Sequence, residues 1–254
     1  MIQSSDDELQ ISQPFFFYFT FTRSCATLRL MKQNSPKQNT IWSHLTPCDD
    51  IEALFSVACE EEEDIEDVLF ENLALEGGEY PGLTFRNCRF VGCRFSGCSL
   101  PRAAFIDCAL EQCDLSNVQM PKGTLQRTKL SDCKLLGISL AESFLLDAVL
   151  ERCVARYANF SSSKLRHVRF SGCDFTSGSF ASCALSTTIF SRCLLTRAEL
   201  FQTLFSGMDL SDCELSGISI SGGELRGAKV NLEQAAMLGQ LLAGVILQDN
   251  LPQA

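Results

Sequence analysis

The sequence predicts an all-β solenoid in which square coils stack around one hydrophobic column. Three observations predict it: an apolar residue recurs every five positions, a small residue precedes it by two, and several residue types recur every twenty. A period of five fits neither an α-helix, with about 3.6 residues per turn, nor a strand, with about two. It fits a chain that turns a corner every five residues, so that four sides make one coil of twenty.

The five-residue period runs without a slip from Phe70 to Val230. Seventeen of its 33 positions are Leu and eleven are Phe, and the position two residues earlier holds Cys eleven times and Ala, Gly, Thr or Ser fourteen times. We therefore expect one large and one small side chain to point inward on each side, in about eight coils. The predicted core includes Phe85, Phe90, Phe95, Phe105, Phe160, Phe170 and Phe175. Ala155 takes a large-residue position, so we expect a gap or a compensating neighbour there and a neutral or stabilising effect of Ala155→Leu.

Seven cysteines spaced by twenty predict a column of thiols on one side of the coils. They are Cys93, Cys113, Cys133, Cys153, Cys173, Cys193 and Cys213. Tetrahedral zinc needs thiolates that converge at ~2.3 Å from the metal, and a disulfide needs Cβ atoms ~3.8 Å apart. A straight ladder with a step of ~4.8 Å offers neither. We interpret the column as packing by small apolar side chains, expect no metal and no cofactor, and take so many reduced thiols to indicate a cytoplasmic location.

No arrangement of catalytic residues is recognisable. His44 and His167 have no nucleophile or carboxylate at a diagnostic spacing, and the carboxylates of Asp209 and Asp212 are interpreted as part of a solvated face. Phosphate-binding, dinucleotide-binding and zinc-protease motifs do not occur in the sequence. The sequence therefore predicts a protein that is not an enzyme.

Both ends of a solenoid need caps, because each leaves unpaired strand edges. At the first end, Thr46 and Pro47 followed by acids predict the start of a capping helix, within an acidic region over residues 46–67. Residues 1–45 show little pattern and are predicted to be disordered. The repeats then occupy residues 68–230.

The second end carries a clearer helix signal. Asn231 followed three residues later by Gln234 predicts a capping box, and the apolar pattern predicts a helix over 232–243 that ends at Gly244. A short strand is predicted at 245–247. A helix of this kind caps its own rod or pairs with a twofold mate.

Residues 113–117 (CDLSN) and 158–162 (ANFSS) match the A(D/N)LXX motif, and the chain resembles the pentapeptide-repeat proteins. The resemblance covers Phe70 to about Val230. It implies a right-handed quadrilateral β-helix, with short capping helices at its two ends. It does not by itself give the function.

The tail from Gly227 to Leu247 is similar to the end of the Qnr and mycobacterial fluoroquinolone-resistance branch of that family. This resemblance implies a head-to-head homodimer through the C-terminal helix, with an interface at Leu232, Ala235, Leu238, Leu241 and Leu242. It also implies a rod that imitates DNA, occupies DNA gyrase or topoisomerase IV and protects against quinolones. Such a rod binds a protein, neither nucleic acid nor a membrane.

The charge distribution opposes the DNA-mimic interpretation, because a DNA mimic needs a negative surface. Of the net charge of −10, residues 1–69 contribute thirteen acids and four bases, whereas residues 70–254 hold eighteen acids and seventeen bases. The side centred on residues 85, 105 and 125 is net positive. Two alternatives stay open, a cytosolic scaffold for an unknown protein and a bacterial effector directed at a host.

Overall fold

The structure is a computed structural model that describes residues 44–244. The strand predicted at 245–247 and all but the last two of the residues predicted to be disordered lie outside this range. The described chain begins with strand β1 (Thr46–Pro47) and helix α1 (Ile51–Glu61) and ends with helix α2 (Leu232–Ala243). Everything between them is built from short parallel strands, isolated bridges and turns.

Two rows of parallel strands form two sides of the coils. The eight-stranded row consists of β1 with β3 (Val68–Glu71), β5 (Arg89–Val91), β7 (Ala109–Glu111), β9 (Lys129–Ser131), β11 (Val149–Glu151), β13 (Arg169–Ser171) and β15 (Ile189–Ser191). The seven-stranded row consists of β2 (Ile65–Glu66), β4 (Thr84–Arg86), β6 (Ala104–Ile106), β8 (Thr124–Gln126), β10 (Phe144–Leu146), β12 (Lys164–Arg166) and β14 (Ala184–Ser186). We call these rows the β3–β15 side and the β2–β14 side.

From β2 onward, paired strands are parallel and lie twenty residues apart in the chain, as in Phe85 with Phe105. Isolated parallel bridges with the same spacing hold the two other sides, which we call the 74–214 side and the 79–219 side after their first and last bridge positions. This arrangement confirms the predicted fold class, a β-solenoid with two helices. The strand rows make about seven turns rather than eight, because beyond β15 the pairing continues only as isolated bridges such as Asp209 with Lys229.

The corners explain why Gly77, Gly97, Gly137 and Gly217 recur at one position of the coil and why the motif contains Asp or Asn. Gly77 and Gly97 adopt φ of 70° and 71°, the left-handed conformation that a missing Cβ favours. The same corner position holds many non-glycine residues with φ near 55°, so the stacked hydrogen bonds outweigh a local cost of roughly 1–2 kcal/mol per residue. Where the motif has Asp or Asn, that side chain closes the turn: Asp114 accepts a hydrogen bond of 3.0 Å from the backbone N–H of Ser116.

The core is one continuous column with two clusters of phenylalanine. Rings stack between coils at 4.7 Å for Phe85 and Phe105 and at 4.9 Å for Phe160 and Phe180. Between the clusters the large positions are mostly Leu, and an apolar cavity of about 20 Å³ remains there. The cavity is lined by Leu100, Phe105, Leu110, Leu115, Val118, Met120, Leu125, Leu130, Ile138 and Leu140. Ala155 does not line it; this residue is completely buried at the start of the second cluster.

The first end differs from the sequence-based expectation. Thr46 and Pro47 do not open the helix; they form β1 and pair with Val68 and Leu69. The expectation was wrong because the first coil offers an open strand edge that this segment covers. The helix is capped by Asp50 instead, whose side chain accepts a hydrogen bond of 3.0 Å from a backbone N–H of the first turn.

Helix α1 closes the first end of the hydrophobic column through Phe55. This residue is 1% exposed, and its ring centroid lies 5.3 Å from that of Phe85 and 5.5 Å from that of Tyr80. The contact covers apolar side chains that the first coil would otherwise expose to water. The helix therefore acts as a plug for the core.

Two buried polar side chains, those of Glu224 and Gln234, close the other end of the solenoid. The carboxylate of Glu224 accepts hydrogen bonds from the backbone N–H groups of Gln202, Ser221, Gly222 and Gly223 at 2.8–3.2 Å. Burial alone would raise the pKa of Glu224, but these N–H donors hold it down at about 2. The predicted capping box of α2, between Asn231 and Gln234, is confirmed.

Candidate protein-interaction surface

The outward surface consists of residues on four flat sides and four corners, each repeated every twenty residues. The bridge column of the 79–219 side is mostly neutral and polar, as at Ser99, Ser139 and Ser179, with acids at Glu79 and Glu199. The 74–214 side exposes large apolar side chains in the later coils, among them Val154 and Leu194. The sides therefore offer chemically different surfaces on one backbone pattern.

The predicted core residues all point inward, and the seven cysteines of the predicted column are at most 7% exposed. All thirteen cysteines in residues 44–244 are free thiols. Each thiol of the column also has a polar contact; for example, the carbonyl oxygens of Leu110 and Ser131 lie 3.4 and 3.3 Å from Sγ of Cys133, whose single S–H can donate to either. The interpretation as packing omitted this second role, in which the thiol donates to a nearby acceptor, in most cases a backbone carbonyl.

Hydroxyl side chains play the same part at other inward positions. Oγ of Ser163 donates to the carbonyl of Leu140 at 2.6 Å, and Oγ1 of Thr203 donates to that of Phe180 at 2.5 Å. Both residues are completely buried. Sequence reasoning grouped Ser and Thr with the small residues, although a hydroxyl in a buried column is itself a signal that a backbone acceptor lies nearby.

The twenty-residue register turns charges on successive coils into ion pairs. Arg127 lies 2.5 Å from Asp107, and Arg152 lies 2.7 Å from Asp132. These pairs hold the pKa of Asp132 below its usual range and raise that of Arg127 through the side-chain hydrogen bond. Because the pairs are exposed, each contributes little to stability, but together they neutralise much of the surface.

The corner between β12 and β13 groups cations that the register leaves without a carboxylate. Its outward side chains are Lys164, Arg166, His167 and Arg169, while Leu165 and Val168 between them are buried. Lys164, Arg166 and Arg169 form no ion pair with any of residues 44–244, and only His167 contacts a carboxylate, Asp147 at 3.1 Å. We call these four residues the basic band.

The histidine and the two carboxylates that remain as catalytic candidates are exposed or make local hydrogen bonds. His44 is exposed, and the carboxylate of Asp209 closes a turn by accepting from the backbone N–H of Ser211 at 3.1 Å. Asp212 accepts a hydrogen bond of 2.9 Å from Ser191. Within residues 44–244 there is no cluster of three or more His, Cys, Asp or Glu side chains suited to hold a metal ion.

The residues of the predicted dimer interface lie on different faces of α2. Leu238 is 9% exposed and packs against the end of the core. Leu232, Leu241 and Leu242 are 85%, 51% and 49% exposed, and Ala235 is also exposed. Leu238 therefore serves the chain's own cap, and the other four residues face outward.

Comparison with known proteins identifies the repeat. Residues 103–175 match the family described as pentapeptide repeat region, and residues 82–117 match pentapeptide repeats in eight copies. The solenoid is a pentapeptide-repeat domain. No helix within residues 44–244 has the length and apolar character needed to cross a membrane. The curated proteins contain no match to the chain.

Several solved pentapeptide-repeat structures are similar to the domain at low identity. HetL from the cyanobacterium Nostoc, described as involved in heterocyst differentiation regulation, is 17% identical, with 73% of this chain and 97% of that chain covered and a TM-score of 0.37. Full-length QnrB1, a plasmid-mediated fluoroquinolone resistance protein, is 18% identical, with 68% and 99% covered and a TM-score of 0.32. Rfr23 from the cyanobacterium Cyanothece is 14% identical, with 71% and 99% covered and a TM-score of 0.17.

Proposed function

We propose that this protein is a non-enzymatic rod that binds other proteins through the outward sides of its coils. The observation that carries the proposal is the fixed twenty-residue register, which places outward side chains in columns on a backbone whose coils pair in parallel on four sides. A preorganised surface of this kind loses little conformational entropy when a partner docks.

The specific partner that we propose is a type II topoisomerase, DNA gyrase or topoisomerase IV, which the rod would occupy in place of DNA. Support comes from the exposed leucines of α2, Leu232, Leu241 and Leu242, which suit a twofold pairing of two rods end to end. The acidic run from Glu60 to Asp64, exposed beside the first coil, would supply negative charge at the outer ends of such a dimer.

A supercoiling assay with purified gyrase, with and without a quinolone, tests the topoisomerase partner. We expect inhibition of supercoiling or protection against the drug at micromolar protein. Replacing residues 60–63 with glutamine should weaken either effect, whereas replacing the paired Glu142 with glutamine should not. An enzyme that supercoils normally, and that the drug inhibits as usual, rules out this partner.

The proposed dimer has its own measurement. The full chain and a chain that ends at residue 231 are compared by mass in solution. We expect a dimer for the first and a monomer for the second, and the triple variant Leu232→Ser, Leu241→Ser, Leu242→Ser should also be monomeric. A full chain that is monomeric at micromolar concentration contradicts the pairing.

The charge balance of the repeats favours a second candidate, a scaffold that binds an unknown protein partner without imitating DNA. Seventeen bases offset eighteen acids over residues 70–254, and the ion pairs between coils neutralise many of them. A rod that leaves gyrase unaffected but binds a protein segment in a selection experiment supports this candidate.

A further inference from the structure

The basic band is distinguished by its grouping: three cations without ion pairs fall within six residues, and no acid separates them. Other cations without an ion pair within residues 44–244, such as Arg94, Arg102 and Arg197, are spread over different coils. Elsewhere on the same side of the rod, the register supplies a carboxylate one coil away: Arg86 lies 2.6 Å from Asp64, and Arg127 lies 2.5 Å from Asp107. Lys164, Arg166 and Arg169 have no such partner within residues 44–244. Exposed cations without a partner leave a local positive potential on a chain whose net charge is −10.

The band runs around one corner of the coil. Lys164 and Arg166 stand on strand β12, His167 occupies the corner with φ of 54°, and Arg169 opens strand β13. The intervening Leu165 is 1% exposed, so its strand presents only the two cations outward. Because the residues between them are buried on both sides of the corner, the four basic side chains point outward in a fixed order along the chain.

The coil before the band supplies apolar neighbours. The parallel register sets Phe144 beside Lys164, Leu146 beside Arg166 and Val149 beside Arg169. Neighbouring strands lie ~4.8 Å apart, so the side chains of two paired residues on the same face of the sheet are in contact. Phe144 is 37% exposed, a high fraction for a phenylalanine in a rod that buries most of its rings.

The coil after the band continues this surface. Lys164 is followed by Ala184, Arg166 by Ser186 and Arg169 by Ile189. None of these residues is acidic, and Ala184 and Ser186 are small and exposed. The cations therefore lie between aromatic and aliphatic side chains on the preceding coil and uncharged, mostly small side chains on the following coil.

We propose that the basic band and the row of Phe144, Leu146 and Val149 form a docking surface for an acidic protein segment that also carries apolar side chains. The inference rests on the proposed protein-binding function and assigns one surface to it. Carboxylates of the segment would pair with Lys164, Arg166 and Arg169, and its apolar side chains would cover Phe144.

The arrangement fits a protein segment better than a nucleic acid. Proteins that bind duplex DNA typically neutralise six to ten phosphates, whereas the band offers three unpaired cations on one coil. Asp147 lies at the corner of the preceding coil beside His167, so the positive surface does not continue onto that coil as an extended duplex would require. An exposed phenylalanine next to cations instead matches the mixture of aromatic and Arg residues that is enriched in protein interfaces.

Selection from a displayed library of random twelve-residue peptides on the full-length protein tests the proposal. We expect the enriched peptides to combine Asp or Glu with Leu, Ile or Phe and to bind with micromolar affinity. The triple variant Lys164→Glu, Arg166→Glu, Arg169→Glu should weaken their binding at least tenfold, and Phe144→Ser should weaken it at least threefold. The matched control Arg94→Glu, Arg102→Glu, Arg197→Glu makes the same change in net charge on other coils and should leave binding unchanged.

A milder variant guards against loss of the fold. Lys164→Gln, Arg166→Gln, Arg169→Gln should retain the thermal midpoint of the parent protein and should still lose peptide binding. If the selected peptides bind the charge-reversed and parent proteins equally, another face is used; the basic band is then excluded, and the protein-binding function stands. A selection that enriches no peptide overturns the docking surface and removes support from the protein-binding function.

Two further probes decide between classes of partner. A labelled 30-base-pair DNA and phosphatidylserine vesicles are titrated with the parent and charge-reversed proteins. We expect neither to bind the parent protein at physiological salt. Binding of DNA or vesicles that the charge reversal abolishes, with no acidic peptide selected, would assign the band to that other partner and overturn the proposal.

Discussion

The side-chain amide nitrogen of Gln234 lies 2.9 Å from the carbonyl oxygen of Leu210 and 2.6 Å from that of Cys213. Both carbonyls belong to the last part of the solenoid, where no further coil follows to supply N–H donors. One buried glutamine, 7% exposed, thus replaces the hydrogen bonds of a missing coil. It does so from the first turn of α2, so the capping helix and the repeats are held together at this residue.

Gln234→Ala should destabilise the protein by about 1–3 kcal/mol, because the carbonyl of Cys213 loses its donor, that of Leu210 keeps only the backbone N–H of Cys213, and the capping box is broken. Urea unfolding measures the change. Gln240→Ala, at an exposed position of the same helix, is the control and should change the free energy of unfolding by less than about 0.5 kcal/mol. Equal effects of the two changes would show that the glutamine does not cap the coil.

Glu224 should give the stability of the C-terminal end a pH dependence. Its pKa is lowered to about 2 in the folded protein, so its contribution is present above its unfolded pKa of about 4.5 and is lost as the pH falls towards 2. Glu224→Gln should lower the free energy of unfolding by roughly 1–3 kcal/mol at pH 7, through the loss of charge-assisted hydrogen bonds. The difference between parent and variant should shrink between pH 4.5 and 2; a difference that is constant over this interval contradicts the assignment.

Val118→Ile should stabilise the protein by up to about 0.8 kcal/mol, the value of one buried methylene. Val118 lines the apolar cavity of about 20 Å³. The same inward position one coil later is Ile138, so the side accommodates this larger side chain. Val168→Ile is the control, because Val168 is completely buried beside the second phenylalanine cluster and should be overpacked. In thermal unfolding, Val118→Ile should raise the midpoint relative to the parent protein, and Val168→Ile should lower it.

Thr187→Asn should raise the thermal midpoint. Thr187 holds a corner with φ of 52°, and a β-branched side chain is strained in the left-handed region, whereas Asn tolerates it. We expect a gain of about 1 kcal/mol in the free energy of unfolding. Thr196→Asn, at an outward position without positive φ, should be neutral. If Thr187→Asn destabilises the protein, the threonine has a stabilising contact that outweighs the strain.

The thiols should react in two classes. Eleven cysteines are buried, so their thiols are covered. Burial also raises the pKa of Cys98 and of Cys183 to about 11, so these two thiols stay protonated at pH 8. Cys48 and Cys59 are half-buried. In a Cys25→Ala protein, a thiol reagent such as dithiobisnitrobenzoate should label at most two groups quickly, and eleven more after unfolding in guanidinium. Rapid labelling of more than two groups would contradict the buried column.

Ala155 shows that a void in the hydrophobic column cannot be predicted from the residue at a single position. The sequence predicts a gap or a compensating neighbour at this residue, and the cavity lies elsewhere, between Leu100 and Leu140, where leucine replaces phenylalanine on several sides at once. Phe175 holds the same position one coil later and Phe160 the next large position along the chain, and their ring centroids are 5.8 Å apart. Whether a side chain leaves a void depends on its neighbours in the two adjacent coils, and the effect of Ala155→Leu stays a prediction.

The sequence by itself determined the solenoid, the inward residues and the helix at 232–243, because each depends on a local period or cap that repeats without interruption. Tertiary structure decided the rest. Thr46 and Pro47 became a strand, since an open edge of the first coil was present to pair with them. The grouping of Lys164, Arg166 and Arg169 as cations without ion pairs emerged only from the register, which brings a carboxylate to Arg86, Arg127 and Arg152 and none to these three. Periodicity fixes which way a side chain points, whereas contacts between coils depend on residues twenty positions apart and on how each end is closed.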